Sequence, residues 1–156
     1  MFQAVLCSCG LKHELKIEAF PYSDDLFKRE VPWGKLGFEI FGEDFNGTIL
    51  LGCLGAQTIA YAFYEDILET SCDLCYVQIK LEYQNKGYAR EIICHILATV
   101  GRKRDIYALD TSGVAAHLLA RAGFYTPEQA LKMGQKEKGR WFYPKGTPLV
   151  GACRPV

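Results

Sequence analysis

No apolar run in this 156-residue sequence approaches the roughly 18–20 residues that a membrane-spanning helix needs. Nor is there an excess of charge, since eighteen basic side chains balance eighteen acidic ones. The first absence excludes a helical membrane protein. The second removes any global attraction to nucleic acid or anionic lipid. The densest basic run, Arg102-Lys103-Arg104, stands where a helical pattern ends and complements the helix dipole there. Repeats, low-complexity tracts and linkers are also missing, so the expectation is one domain over residues 1–156. Met1-Phe2-Gln3-Ala4 lacks the basic start and apolar stretch of a secretory leader, which points to a cytoplasmic protein. What is present is apolar content of 49%, enough for a substantial core.

The seven cysteines are odd in number and scattered, and they are expected to be thiols. Cys7-x-Cys9 and Cys72-x-x-Cys75 together would make a four-thiolate zinc set, but Cys-x-Cys is not knuckle spacing. Cys72 to Cys75 also leads into an alternating stretch, where Cys75 and Val77 face one way and Tyr76 and Gln78 the other. No metal is expected, and Cys53 and Cys94 read as core.

Periodicity divides the chain further. Glu14 to Phe20 alternates and stops at Pro21, as an edge strand would. Ser23 caps a short helix that ends before Pro32, and Trp33 to Gly47 is a strand or a loop over a pocket. Thr48–Leu54, Gln57–Tyr64 and Asp73–Glu82 read as three strands of an antiparallel meander, with Gly55-Ala56 as a turn and Glu65–Ser71 as a polar connection. From Gly87 the apolar positions Ala89, Ile92, Ile93, Ile96, Leu97 and Val100 take helical spacing. A short strand, Ile106–Leu109, and a helix, Val114–Ala122, follow. The strands before and after the first helix should be parallel neighbours. Thr126-Pro127-Glu128-Gln129 has the form of a capping box, and Arg140–Pro144 that of a terminal aromatic strand.

Chemistry concentrates in Gln84-Asn85-Lys86-Gly87-Tyr88-Ala89, between a strand and a helix. Backbone N–H groups gather there at the positive end of a helix dipole. Gly87 permits a tight turn, Ala89 leaves room against the first helical turn, and Lys86 adds a cation. These suit a phosphate or pyrophosphate. The spacing is neither that of a nucleoside-triphosphate loop nor that of a dinucleotide loop.

The segment resembles the Gln/Arg-x-x-Gly-x-Gly/Ala signature of the GCN5-related N-acetyltransferase (GNAT) superfamily. The preceding meander, the strand Val77–Leu81, the long helix, and a later helix ending in Gly123-Phe124 follow that family's order over roughly residues 48 to 125. The resemblance implies an α/β (α+β) fold, with a mixed, largely antiparallel sheet, splayed parallel central strands and a β-α-β-α C-terminal half. It implies that Gln84 to Ala89 hold the pyrophosphate of acetyl-CoA, that Ile79 and Leu81 pair with the pantetheine arm, and that Ser112 stands where the family often has asparagine. An amine acceptor would attack the acetyl thioester directly.

The tyrosine that the family uses to protonate the leaving thiolate falls on Leu119 here. Candidate donors are Tyr107, His117 and Tyr125, with His117 on a different helix face from Leu119. Candidate bases are Glu82, Tyr76 and Glu65, while His95 reads as packed against the core. Trp33, Phe38, Phe41 and Phe45, with Trp141, Phe142 and Tyr143, are either core or acceptor contacts. Three readings stand: an N-acetyltransferase acting on a small-molecule or peptide amine, a coenzyme A-binding regulatory module without efficient turnover, and a toxin-type acetyltransferase of aminoacyl-tRNA. The neutral charge lends the last no support, and no nucleic acid or membrane partner is expected. Edge strands and terminal aromatics are compatible with a homodimer.

Overall fold

The computed structural model describes residues 15–34, 46–109 and 113–153. The order of elements runs β1 (Lys16–Pro21), α1 (Asp24–Glu30), β2 (Gly47–Leu54), β3 (Gln57–Leu68), β4 (Ser71–Ile79), a 3-10 turn (Leu81–Tyr83), α2 (Tyr88–Thr99), β5 (Asp105–Leu109), α3 (Gly113–Ala122), α4 (Pro127–Lys132) and β6 (Arg140–Tyr143). Hydrogen-bonded neighbours in the sheet follow the order β1-β2-β3-β4-β5-β6. β1 with β2 and β5 with β6 are antiparallel. β4 and β5, joined through a helix, are parallel. This is the mixed α/β architecture expected from the sequence.

The chain divides into two compact units, Met1–Phe63 with Val77–Ile92, and Tyr64–Tyr76 with Ile93–Val156. In the first, Ser23 caps α1 by accepting from the Leu26 amide at 3.1 Å. That directs Phe27 inward, onto Tyr61 and Phe63, with ring centroids 5.2 and 5.4 Å away. Trp33 lies 5.5 Å from Tyr61, and its indole N–H donates to the Thr58 carbonyl. Trp33 is thus committed to this aromatic core. Phe38, Phe41 and Phe45 lie outside the described residues, as do Cys7 and Cys9.

In the second unit, strand register sorts the side chains. Cys72, Ile106 and Tyr143 stand in one row, and Leu74, Ala108 and Trp141 in the next. All six are buried. Trp141 and Tyr143 are therefore core residues. The opposite face carries Asp73, Tyr107 and Phe142 in one row, with the Tyr107 and Phe142 rings stacked 5.1 Å apart.

Three expectations need correction. β3 does not stop at Tyr64: it continues to Leu68, and the polar connection shrinks to a two-residue turn. Asp66 is tolerated in the strand because Arg104 forms an ion pair with it. β4 covers Ser71–Ile79 rather than Asp73–Glu82. After the Lys80 amide bonds the Ile59 carbonyl, the Tyr83 amide turns back to the Lys80 carbonyl, so the chain leaves the sheet. Finally, Cys94 is not a core thiol but forms a disulfide with Cys153. Cys53, Cys72 and Cys75 are thiols, and burial pushes that of Cys72 up to about 12.

Candidate active site

The Gln84–Ala89 loop begins where β4 ends. The Gln84 amide donates to the Leu81 carbonyl at 3.2 Å, and its side-chain amide donates to the Ile79 carbonyl at 2.9 Å. Gln84 therefore ties the loop to the last residue of the strand. Asn85 and Gly87 both adopt left-handed backbone, with φ of +62° and +87°. Asn85 is the one non-glycine residue with positive φ among the described residues. Such conformations carry a cost in an L-residue and collect at ligand-binding turns. Alternating handedness makes successive N–H groups converge on a concavity suited to an anion.

The helix supplies more donors. Its first intrahelical bond runs from the Glu91 amide to the Gly87 carbonyl at 3.1 Å. Helix geometry leaves the amides of Ala89 and Arg90 without an acceptor inside α2. Gly87, at the cap position, has no side chain to fill that space. Lys86 is exposed and adds its charge at the same end. Tyr88, only 3% exposed, is packed inward with its ring 6.4 Å from Tyr83. Tyr83 in turn donates to Gln57 at 3.2 Å. The loop is thus seated on β3 through Tyr83 and on β4 through Gln84.

The other site residues are distributed as follows. Leu81, expected on a strand, lies in the 3-10 turn and is 77% exposed. Glu82 shares that turn, exposed, with its carboxylate 3.6 Å from the Lys80 ammonium. Ser112 is outside the described residues. Leu119 is buried in α3 and His117 is exposed on it. The Tyr107 hydroxyl donates to Gln135 at 2.9 Å, and burial pushes its pKa up, so it keeps its proton at neutral pH. Tyr125 makes a bridge to Phe142, and Tyr76 and Glu65 are half-buried. His95 is half-buried too, and burial lowers its pKa.

The β4–β5 ladder runs from Ser71 beside Asp105 to Leu74 beside Ala108, and β4 continues past it for five residues to Ile79. Sequence reasoning missed the link from Gln84 to Ile79. A glutamine one residue before a left-handed asparagine was the available signal, because such a turn needs a brace.

No protein-family profile and no curated protein sequence matches the chain. Solved structures do. An acetyltransferase of Bacillus subtilis in complex with CoA superposes with a TM-score of 0.59 at 12% identity, over 83% of this chain and 95% of the other. A GNAT family acetyltransferase from Elizabethkingia anophelis with acetyl-CoA bound gives 0.52 at 12% identity, over 81% and 94%. A spermidine N-acetyltransferase chimera from Vibrio cholerae gives 0.56 at 16% identity, over 85% and 96%. Across most of its length, the chain has the fold of the GNAT acetyltransferases.

Proposed function

We propose that the protein is an N-acetyltransferase that takes its acetyl group from acetyl-CoA and delivers it to a primary amine. The observation that carries this reading is the loop between β4 and α2, with Asn85 and Gly87 left-handed at the start of a helix, in a chain of this fold. The residues present fit the group. The amides of Ala89 and Arg90 at the start of α2 and the Lys86 ammonium offer what a pyrophosphate needs, and the bare cap at Gly87 gives it room.

Acetyl-CoA supplies an activated acyl thioester. The chain's own tasks are to bind both reactants in register, to take a proton from the acceptor ammonium and to give one to the departing sulfur. Glu82 is the exposed carboxylate nearest the loop in sequence and is the candidate base. Tyr107 is the candidate acid, because it is protonated at neutral pH and its hydroxyl is oriented by Gln135. His117, solvated on α3, is the alternative acid.

Titration calorimetry with acetyl-CoA, followed by an amine panel read by free-thiol release, tests the proposal. Saturable binding and amine-dependent thiol release are expected. No heat at millimolar acetyl-CoA would refute it. Leu119, buried where the fold's enzymes commonly carry an acid, favours a second reading: a coenzyme A-binding module with little turnover. Binding without thiol release on any amine would select that reading.

A further inference from the structure

The second unit holds a cavity of about 380 Å³, lined in part by the candidate acid Tyr107, to which the acetyl-transfer reading assigns no ligand. Its floor is the sheet face bearing Ser71, Tyr107, Arg140 and Phe142, and it is walled by Ile67 and Leu68 at the end of β3 and by the segment from Ala130 to Glu137. That size is within the range of small-molecule sites.

The polar groups around it are unequal in kind. Ser71 is 7% exposed and lines the cavity, where its hydroxyl can donate. Arg140 is held by Asp73 at Nη1 and by Glu137 at Nε, the latter at 2.6 Å. Two of its five N–H donors are thereby committed, and both carboxylates are engaged by the same guanidinium. The guanidinium carbon is 5.9 Å from the centre of the Tyr107 ring. Gln135 spends its carbonyl on the Tyr107 hydroxyl, which leaves its NH₂ as a donor. Lys136 stands on the rim. Donors in surplus therefore face the space: Ser71, Gln135, Lys136 and the rest of Arg140. Beside them, Ile67 and Leu68 keep 44% and 65% of their surface exposed, an apolar wall without a cover among the described residues.

We infer that this cavity is a binding site for a small carboxylic acid with an apolar body. The carboxylate would meet the Ser71 hydroxyl and the Lys136 and Arg140 cations, and the body would lie against Ile67, Leu68 and Phe142. Charge-assisted bonds from several donors to one carboxylate favour an acid over an amine of the same shape.

The test uses the full chain with phenylacetate and phenethylamine, which share a ring and differ in the sign of the head group. In titrations followed by ligand-observed NMR, phenylacetate should saturate and bind about tenfold or more tightly than phenethylamine. Ser71→Ala and Lys136→Ala should each weaken phenylacetate by about three- to tenfold. Lys86→Ala, in the loop of the other unit, should leave it unchanged. Unsaturable phenylacetate, equal or tighter binding of the amine, or unchanged binding in both cavity variants would overturn the inference. If Ser71→Ala does not fold, the exposed Lys136→Ala decides the matter. Acetyl-CoA titrated separately reports on the proposed transferase site, so failure of either reading is distinguishable from failure of the other.

Discussion

Two helix starts in this molecule meet the same demand differently. α4 begins with a complete capping box. Thr126 accepts from the Gln129 amide at 3.2 Å, and the Gln129 side chain accepts from the Thr126 amide at 2.9 Å, with Pro127 in the first turn. Its orphan donors are satisfied by residues three apart in its own sequence. α2 begins at Gly87, which can offer no side chain, after a turn holding two left-handed residues. A helix that closes its own end needs nothing from outside. One that starts behind glycine and a costly turn has no such box, and the anion proposed above is the kind of group such an end attracts.

Breaking the long-range anchor of α2 should have the largest effect. Cys94 in α2 is bonded to Cys153 across 59 positions. Cys153→Ser, or reduction by a dithiol, should cost about 2–4 kcal/mol by releasing that loop in the unfolded chain, read as a lower midpoint in denaturant. An unchanged midpoint would mean that the bond contributes nothing beyond the packing around it.

Gly87→Val comes next. A β-branched residue at φ +87° is strained, which should cost about 1–3 kcal/mol, and its side chain would fill the cap position. Acetyl-CoA affinity should fall by about tenfold or more in calorimetry. Affinity equal to that of the parent would show that this helix start is not where the ligand sits.

Thr126→Ala sharpens the contrast from the other side. It should lower stability by about 1 kcal/mol and leave the acetyl-CoA dissociation constant where it was, because α4 spends its donors on itself. A large loss of affinity there would remove the distinction between the two ends.

The smallest effect concerns His95, farther along α2. Burial lowers its folded pKa below the ordinary 6.5, so the folded state binds fewer protons than the unfolded. Its contribution is therefore fully present above pH 6.5 and is lost as pH falls through the folded pKa. Denaturation midpoints measured from pH 7.5 down to 5 should decline less in His95→Gln than in the parent, and parallel curves would contradict the assignment.

Local features were legible in the sequence because their partners are local. The box at Thr126 and Gln129, the cap at Ser23, and the change from strand to helical spacing at Gly87 all lie within four residues of what they organise. The turn from Gln84 to Gly87 was legible for the same reason, because it adjoins the helix it starts. Leu81 misled because it keeps the strand's alternation, yet the chain has already turned at Lys80 through bonds to Ile59 and Tyr83 that no alternation encodes. Asp66 misled because a charge suggests a connection, whereas Arg104, thirty-eight residues later, makes it tolerable in a strand. The cavity could not be read at all. Its lining comes from the end of β3, the start of β4, β5, α4 with the segment after it, and β6, and only the fold assembles them.

The bond between Cys94 and Cys153 also changes the covalent topology of the chain. Everything between the two sulfurs, including β5, α3, α4 and β6, belongs to a closed ring. A single cut in the exposed stretch from Lys136 to Gly139 would open that ring without producing two molecules. Nicked protein would keep its full mass on a non-reducing gel and separate into fragments only when thiol is added. For this half of the chain, cleavage and loss of integrity are separate events.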